Sequence, residues 1–161
     1  MSSRCARSTS MFVAALFGGF AMTAQAQDGP RPRLPLTLLA EPLALCRFEP
    51  SAPLPAWTAG ARRFLTVSRT PDELSITVDA GTVPAGLPCE RGYRAFQVQG
   101  PLPLDLIGIL ASMAEPLARA RISIFAISTY DTDYVLVKST DLDAAIAARE
   151  GAGHRITRAA P

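Results

Sequence analysis

Two segments of the chain share one residue pattern, and this repeat most constrains the possible fold. FLTVSRTPDELSITV spans residues 64–78, and IFAISTYDTDYVLVK spans residues 124–138. In each segment, two runs of β-prone residues flank a short polar stretch, which is typical of a β-hairpin. When the segments are aligned, Ser68 matches Ser128 and Glu73 matches Asp133. The alignment indicates a degenerate internal repeat, and chance similarity between two amphipathic hairpins is the alternative.

The segments around the hairpins predict a mixed α+β chain. Helical periodicity appears mainly in the second half, where Leu106, Leu110, Met113 and Leu117 form one apolar stripe. Pro116 lies inside that predicted helix, and its missing N–H predicts a kink or an early end. Strands are predicted at residues 43–48 and 93–99, a short helix at 56–61, and longer helices at 105–120 and 142–150.

The strand predicted at residues 122–128 is apolar on both faces. Alternation places Ile122 and Ile124 on one face, and Phe125 and Ile127 on the other. A sheet that carries helices on one side must have its other side covered. The cover is the other half of the chain, another subunit, or both, so a homodimer is one possible arrangement.

The N-terminal segment, residues 1–27, predicts an export signal. Arg4 and Arg7 precede an apolar run at residues 11–22 that is too short to span a bilayer, and Ala24-Gln25-Ala26 suits a cleavage site. This predicts a periplasmic or secreted protein. The alternative is a misassigned start codon, in which case the protein is cytoplasmic. No later segment is long and apolar enough to span a membrane, so no membrane anchor is expected.

The rest of the chain divides by composition. Residues 28–37 are rich in Pro and Arg and predict a flexible linker, and the Gly- and Pro-rich stretch at 81–89 predicts an internal boundary. The predicted organisation is a signal at 1–27, a linker at 28–37, a first half at 38–83, a second half at 90–156 and a disordered tail at 157–161.

Charge and composition limit the possible partners. The chain is 48% hydrophobic and 19% charged, which excludes a disordered protein. Its net charge of +2 falls to zero when Arg4 and Arg7 leave with the signal. We therefore expect no binding to nucleic acid.

Cys46 and Cys89 are too far apart in sequence to form a metal or redox motif. In an exported protein the two can form a disulfide, whereas in the cytosol they would be buried free thiols. We favour buried thiols from the sequence, which does not give the distance between the two residues.

No residue set in the sequence supports an enzyme. His154 is the single histidine and lies near the C-terminus, where we expect it to face solvent. No glycine-rich loop of the dinucleotide or phosphate-binding type is present. We therefore predict no catalytic residues, no metal and no cofactor.

A polar strip separates the two strands of the second hairpin. Residues 128–133 (STYDTD) place six hydrogen-bonding side chains in a row, and the carboxylates of Asp131 and Asp133 suit an ammonium group. Turn formation alone is the alternative role for these aspartates. A helix starting at Asp105 as N-cap would offer free N–H groups to a ligand carboxylate. Gly108 would permit close approach of a ligand or serve packing alone.

These residues closely resemble small bacterial ACT-like proteins. The resemblance rests on residues 122–137, on the Gly100-Pro101-Leu102 turn and on the helix at 106–118. Residues 64–78 and 53–59 resemble the first half of the same proteins. The arrangement is also similar to the ACT pairs of the eukaryotic cytosolic arginine sensor and to the regulatory end of aspartate kinases.

The resemblance implies a ferredoxin-like βαββαβ fold in two degenerate halves, with an amino acid bound at an interface between ACT units. Members of this family are expected in the cytosol, in contrast to the predicted export signal. By position, the resemblance selects as ligand-binding residues Asp105, Leu106, Gly108, Ser128, Thr129, Asp131 and Asp133, together with Ser68 and Arg69 at the matching positions of the first half.

The sequence therefore predicts a non-enzymatic sensor whose small-molecule ligand is an amino acid. The competing hypothesis is a structural oligomerisation module, in which the apolar sheet face mediates association and no ligand binds.

Overall fold

Residues 32–160, the part of the chain that the computed structural model describes, form an α+β fold, as predicted. Within these residues one open sheet of eight strands carries two helices on one face. None of their helices is long and apolar enough to cross a membrane. The strands are β1 (Pro35–Leu38), β2 (Leu43–Phe48), β3 (Leu65–Arg69), β4 (Leu74–Asp79), β5 (Cys89–Val98), β6 (Phe125–Ser128), β7 (Asp133–Lys138) and β8 (Arg155–Arg158), and the helices are α1 (Ile109–Arg119) and α2 (Leu142–Gly151).

The ten-residue strand β5 joins the two halves of the chain. Its N-terminal part pairs antiparallel with β2, which continues through β4 to β3. Its C-terminal part pairs with β1 on one side and with β7 on the other. Strand β8 lies parallel to β1, and β6 completes the opposite edge beside β7. Both halves therefore share one strand.

The helix-bearing face holds the largest core. Alternation along β5 and β7 points Phe96, Val98, Val135 and Val137 towards the helices. Their helical partners include Met113 and Leu117 of α1 and Ala145 of α2, all fully buried.

The first half of the chain covers the helix-free face of the second half. Ala95 of β5 and Leu136 of β7 point away from the helices and pack with Leu43 and Phe64. The rings of Phe64 and Tyr134 meet edge to face, with centroids 5.1 Å apart. The sequence analysis allowed the other half of the chain, another subunit, or both to cover this face. In the structure, the other half of the chain covers it.

Three local predictions differ from the structure. Residues 35–37 of the predicted linker belong to β1, because Leu36 is buried in the helix-side core and the strand pairs with β5 and β8. Strand β8 extends to Arg158, into the predicted tail, because it pairs along β1. Helix α1 begins at Ile109 and not at Asp105. The predicted signal at residues 1–27 lies outside the described residues.

Cys46 and Cys89 form a disulfide, so the preference for free thiols is wrong in this structure. The two residues are register partners on β2 and β5, with their Cα atoms 4.4 Å apart. They are 43 positions apart in the sequence, and only the pairing of these two strands brings them together.

His154 is buried, in contrast to the expectation that it faces solvent, with 5% of its surface exposed. The backbone N–H of Leu34 donates to its Nδ1 at 3.1 Å, and its Nε2 lies 3.1 Å from the carbonyl oxygen of Ser112. A backbone N–H only donates and a carbonyl only accepts, so the neutral ring with its proton on Nε2 satisfies both partners. His154 thus ties the start of β1 to α1.

Arg149 is the largest fully buried side chain among the described residues. Its guanidinium lies 4.4 Å from the centroid of the Phe96 ring, a cation–π contact, and it has no hydrogen-bond partner within residues 32–160. Burial lowers the pKa of Arg149 to about 10, so the group stays charged at neutral pH. Its place in the last turn of α2 sets this charge against the negative end of the helix dipole.

Removing the disulfide should destabilise the fold. A loop of this length gives an entropic contribution of about 4 kcal/mol in the chain-entropy model. The double variant Cys46→Ala/Cys89→Ala, compared with the parent chain by urea unfolding, should show a lower midpoint. Equal midpoints for the two proteins would show that the crosslink contributes nothing to stability.

Protonation of His154 should destabilise the protein at acid pH. Burial lowers the pKa of His154 below its ordinary value of 6.5, so the unfolded chain binds a proton more readily than the folded chain. The stability that neutral His154 contributes is complete above about pH 6.5 and is lost as the pH falls towards the folded-state pKa. Urea midpoints at about pH 8 and about pH 5 should therefore differ more for the parent than for His154→Gln. An equal pH dependence in both would contradict this role.

Candidate functional site

A small open cleft lies where the β6–β7 hairpin tip meets the loop before α1. Its volume is about 170 Å³. It brings together five of the predicted site residues: Leu106, Ser128, Thr129, Asp131 and Asp133. Its remaining lining comes from Leu102, Pro103, Leu104, Ile109, Tyr130 and Thr132.

The hairpin tip is held by its own hydrogen bonds. The backbone N–H and the hydroxyl of Thr129 both donate to the carbonyl oxygen of Thr132 at 2.9 Å. The hydroxyl of Ser128 donates to Oδ1 of Asp133 at 2.5 Å. Buried Thr132 anchors the tip to β5 by donating to the carbonyl oxygen of Val98 at 2.5 Å. The threonine hydroxyls thus build the turn, whereas the carboxylate of Asp131 faces solvent at the cleft.

The loop after β5 approaches the hairpin tip closely at Gly100. The backbone N–H of Leu102 donates to the carbonyl oxygen of Asp131 at 2.8 Å, next to a cis peptide bond between Gly100 and Pro101. A Cβ atom at position 100 would lie 2.6 Å from that carbonyl oxygen. Glycine is therefore required for this contact between loop and tip.

The N-terminus of α1 has no side-chain cap. Gly108 is its N-cap residue, with a φ of 83° in the left-handed region, and the first turn contains no acidic residue. The prediction that Asp105 is the N-cap is wrong, because the left-handed turn at Gly108 delays the helix and leaves Asp105 exposed on the loop. The first N–H groups of α1 have no intrahelical partner and carry the positive end of the helix dipole.

The cleft therefore has two electrostatic sides. Ile109 at the start of α1 lies on one side, and Asp131 and Asp133 line the other. Tyr134 lies next to this acidic side. Burial raises the pKa of its hydroxyl, and the negative charge of Asp131 raises the pKa further. Such a site can hold a carboxylate and an ammonium group together. Within residues 32–160, no group of three His, Cys, Asp or Glu side chains is placed to hold a metal ion.

Four predicted site residues lie outside the cleft lining. Asp105 and Gly108 belong to the loop that leads to α1. Ser68 lies on β3 opposite Ser75, in the first half. Arg69 donates to the carbonyl oxygens of Pro50 and Ala52, which fixes the loop after β2.

The sequence signal missed part of the cleft. Leu102 and Ile109 line the cleft. Both are apolar residues, one in a loop and one in a helix, and their type alone does not indicate a binding site. The run of polar residues at 128–133 correctly predicted the residues that the hairpin contributes to the cleft.

Comparisons with known families agree with the predicted resemblance. A family model described as an ACT domain matches residues 89–148, and a second model, described as an N-terminal domain, matches residues 41–85. No curated protein matches the chain.

Solved structures share the fold. A protein from Agrobacterium tumefaciens is 35% identical, with a TM-score of 0.75, over 81% of this chain and 96% of that chain. A Vibrio cholerae protein of unknown function, described as a possible transport protein, is 20% identical, with a TM-score of 0.60, over 74% and 89% of the two chains. An aspartate kinase from Synechocystis is 16% identical, with a TM-score of 0.56, over 82% of this chain and 29% of the kinase. The last two similarities concern the fold alone.

Substitution of Gly100 should disturb the cleft. Gly100→Ala forces the loop and the hairpin tip apart, and we expect a loss of about 1 to 3 kcal/mol of stability. Gly151→Ala is the matched control, because a Cβ atom there meets nothing within 4 Å. Urea unfolding should show a lower midpoint for Gly100→Ala and no decrease for the control. If both variants keep the midpoint of the parent chain, the contact between Gly100 and Asp131 does not require glycine at position 100.

Proposed function

Because this chain belongs to the family of small ACT-domain proteins, we propose that it is a non-enzymatic regulatory protein that binds an amino acid in the cleft between the β6–β7 tip and α1. The family indicates a regulatory, ligand-binding role. The amino-acid ligand and the non-enzymatic character are the finer parts of the proposal. The geometry of the cleft supports the amino-acid ligand.

One observation carries the proposal: Ile109, the first residue of a helix without a side-chain cap, and the exposed carboxylate of Asp131 line the same cleft. The first turn of α1 offers backbone N–H groups that no side chain of the helix caps, which suits the ligand carboxylate. Asp131 offers an exposed carboxylate for the ligand ammonium group, with Asp133 beside it. Charge-assisted hydrogen bonds of both kinds are stronger than neutral ones, so a zwitterion fits better than a neutral molecule.

Large exposed side chains form a rim at the cleft. Tyr130 is 79% exposed and Leu104 is 73% exposed, and both line the cleft. Ile107, which is 90% exposed, lies next to them in the loop before α1. A cleft of about 170 Å³ is small for a complete ligand site, and such sites usually bury most of their ligand. In this proposal a second copy of the chain packs on the rim and closes the cleft over the ligand side chain.

Export of the protein to an oxidising compartment is part of the same proposal. The disulfide between Cys46 and Cys89 supports it, because structural disulfides persist mainly outside the cytosol.

The exposed rim also favours a second candidate function. Leu104, Ile107 and Tyr130 can mediate association between copies without any ligand, as a structural oligomerisation module would require. The two candidates differ in what an amino acid does to the folded protein.

Thermal unfolding of the full chain against a panel of amino acids tests the proposal. An amino acid at about 100 times its dissociation constant should stabilise the fold by roughly 2.7 kcal/mol, because it binds only the native state. Asp131→Asn should raise the dissociation constant of the amino acid by about tenfold, because a charge-assisted hydrogen bond is lost. The stabilisation at a given concentration should then be smaller. Asp72→Asn is the matched control, because Asp72 is exposed at the tip of the other hairpin.

Two results would contradict the proposal. Absence of any stabilisation, with association detected by sedimentation, would favour the oligomerisation module. Equal responses in Asp131→Asn and Asp72→Asn would move the ligand away from this cleft.

A further inference from the structure

Strand β3 has one free edge. Among the strands of residues 32–160 it pairs only with β4, in a continuous register without a β-bulge. It contains no proline and no lysine, the residues that commonly protect a sheet edge from pairing with another chain. Its single charged side chain, Arg69, donates to the carbonyl oxygens of Pro50 and Ala52. The edge is therefore open to a further strand.

The register of the hairpin shows which residues of β3 face this edge. The N–H of Thr70 donates to the carbonyl oxygen of Glu73 at 2.9 Å, and the N–H of Asp79 donates to that of Phe64 at 3.2 Å. Hydrogen-bonded pairs recur at every second residue of an antiparallel ladder, so the even-numbered residues of β3 bond to β4. The odd-numbered residues turn their N–H and C=O groups to the free edge: Leu65, Val67 and Arg69.

The side chains of Leu65 and Val67 are exposed along the same edge. Leu65 is 41% exposed and Val67 is 43% exposed, although their register partners on β4, Val78 and Ile76, are buried in an apolar core. Cross-strand partners share one face of a sheet, so an added strand would place its side chains beside Leu65 and Val67 and extend this core. The edge thus offers unpaired backbone groups and apolar surface together.

A second copy of the chain fits this edge best in one antiparallel register. When a twofold axis passes through Val67, that residue faces its own copy, and Leu65 of each strand pairs with Arg69 of the other. All the outward N–H and C=O groups of both strands can then bond. A shift along the strand would leave an outward residue of each β3 beyond the end of the other β3.

Charges beyond the two ends of β3 favour the same arrangement. Continued past the strand ends, the register brings Arg62 of one copy towards Asp72 of the other. Both residues are exposed, and within residues 32–160 neither takes part in an ion pair. Parallel pairing would instead bring like charges together, which is unfavourable. Exposed ion pairs add little affinity, but they select the orientation of the partner.

We infer that the free edge of β3 pairs with β3 of a second copy of this chain, about a twofold axis at Val67, and that this pairing joins the two sheets into one. No residue of the rim at the β6–β7 tip belongs to β3, so this surface is distinct from the rim. The inference does not rest on the binding of an amino acid.

Hydrogen exchange of the full, isotope-labelled chain, followed by NMR at millimolar concentration, tests this inference. The amides of Leu65, Val67 and Arg69 should exchange slowly in the parent chain and fast in Val67→Lys, because only the second copy protects them. The amides of Thr66 and Ser68 should be protected in both proteins, since they bond to β4. Sedimentation from micromolar to millimolar concentration should show a dimer that dissociates on dilution.

Val67→Lys brings two positive charges together at the twofold axis. It should raise the dissociation constant of the dimer by about tenfold or more. Leu110→Lys is the matched control, because Leu110 is also an exposed apolar residue but lies on helix α1 and not on β3. This control should keep the dissociation constant of the parent chain.

An exchange of charge tests the register. Arg62→Asp and Asp72→Arg should each raise the dissociation constant by about threefold, because each sets like charges together at both ends of the paired strands. The double variant that carries both changes should return to the dissociation constant of the parent chain.

Three results would overturn the inference. A chain that stays monomeric at millimolar concentration would leave the edge to an extended segment of a different protein. Equally fast exchange of the Leu65 and Val67 amides in the parent and in Val67→Lys would place any association at another surface. A double charge variant that dimerises no better than the single variants would rule out the register centred on Val67.

Discussion

The structure depends on the pairing of one long strand with three others. Strand β5 runs from Cys89 to Val98, and its two ends serve different neighbours: β2 at the N-terminal end, and β1 and β7 at the C-terminal end. Because its side chains alternate, Phe96 enters the core under the helices while Ala95 enters the core under the first half. A strand that belongs to two cores couples the halves, so neither can bury its apolar face without the other.

This coupling also places two clefts. The hairpin tip of β6 and β7 reaches the loop that follows β5, where Gly100 permits contact with Asp131. The cleft at the β6–β7 tip lies there, where the loop leads into α1 without a capping side chain. At the other end of the shared sheet, β4 ends at Asp79, which lies in the wall of another open cleft, of about 380 Å³. Each cleft thus lies where a strand ends and regular hydrogen bonding stops.

Much of the site was predictable on the hairpin side and little on the helix side. Ser128, Thr129, Asp131 and Asp133 lie together in the cleft because a hairpin keeps neighbours in sequence close in space. Asp105 was a reasonable N-cap by residue type, but the left-handed conformation of Gly108 moved the helix start and left Asp105 outside the lining. Ser68 and Arg69 match the hairpin positions by repeat, yet the first half has only a short helical turn at Ala56–Gly60 in place of a full helix. Arg69 instead binds backbone carbonyls.

Local pattern in the sequence by itself determined the α+β class, the two hairpins, the short helical turn of the first half and the polar tip at residues 128–133. Periodicity and turn chemistry act between neighbours along the chain, so they can be read without the fold. Only the tertiary structure decided contacts between distant residues: the strand at Pro35–Leu38, the disulfide, and the burial of His154 between Leu34 and Ser112. Each of these depends on which strands become neighbours, and the sequence carries that information only through the packing of the complete core.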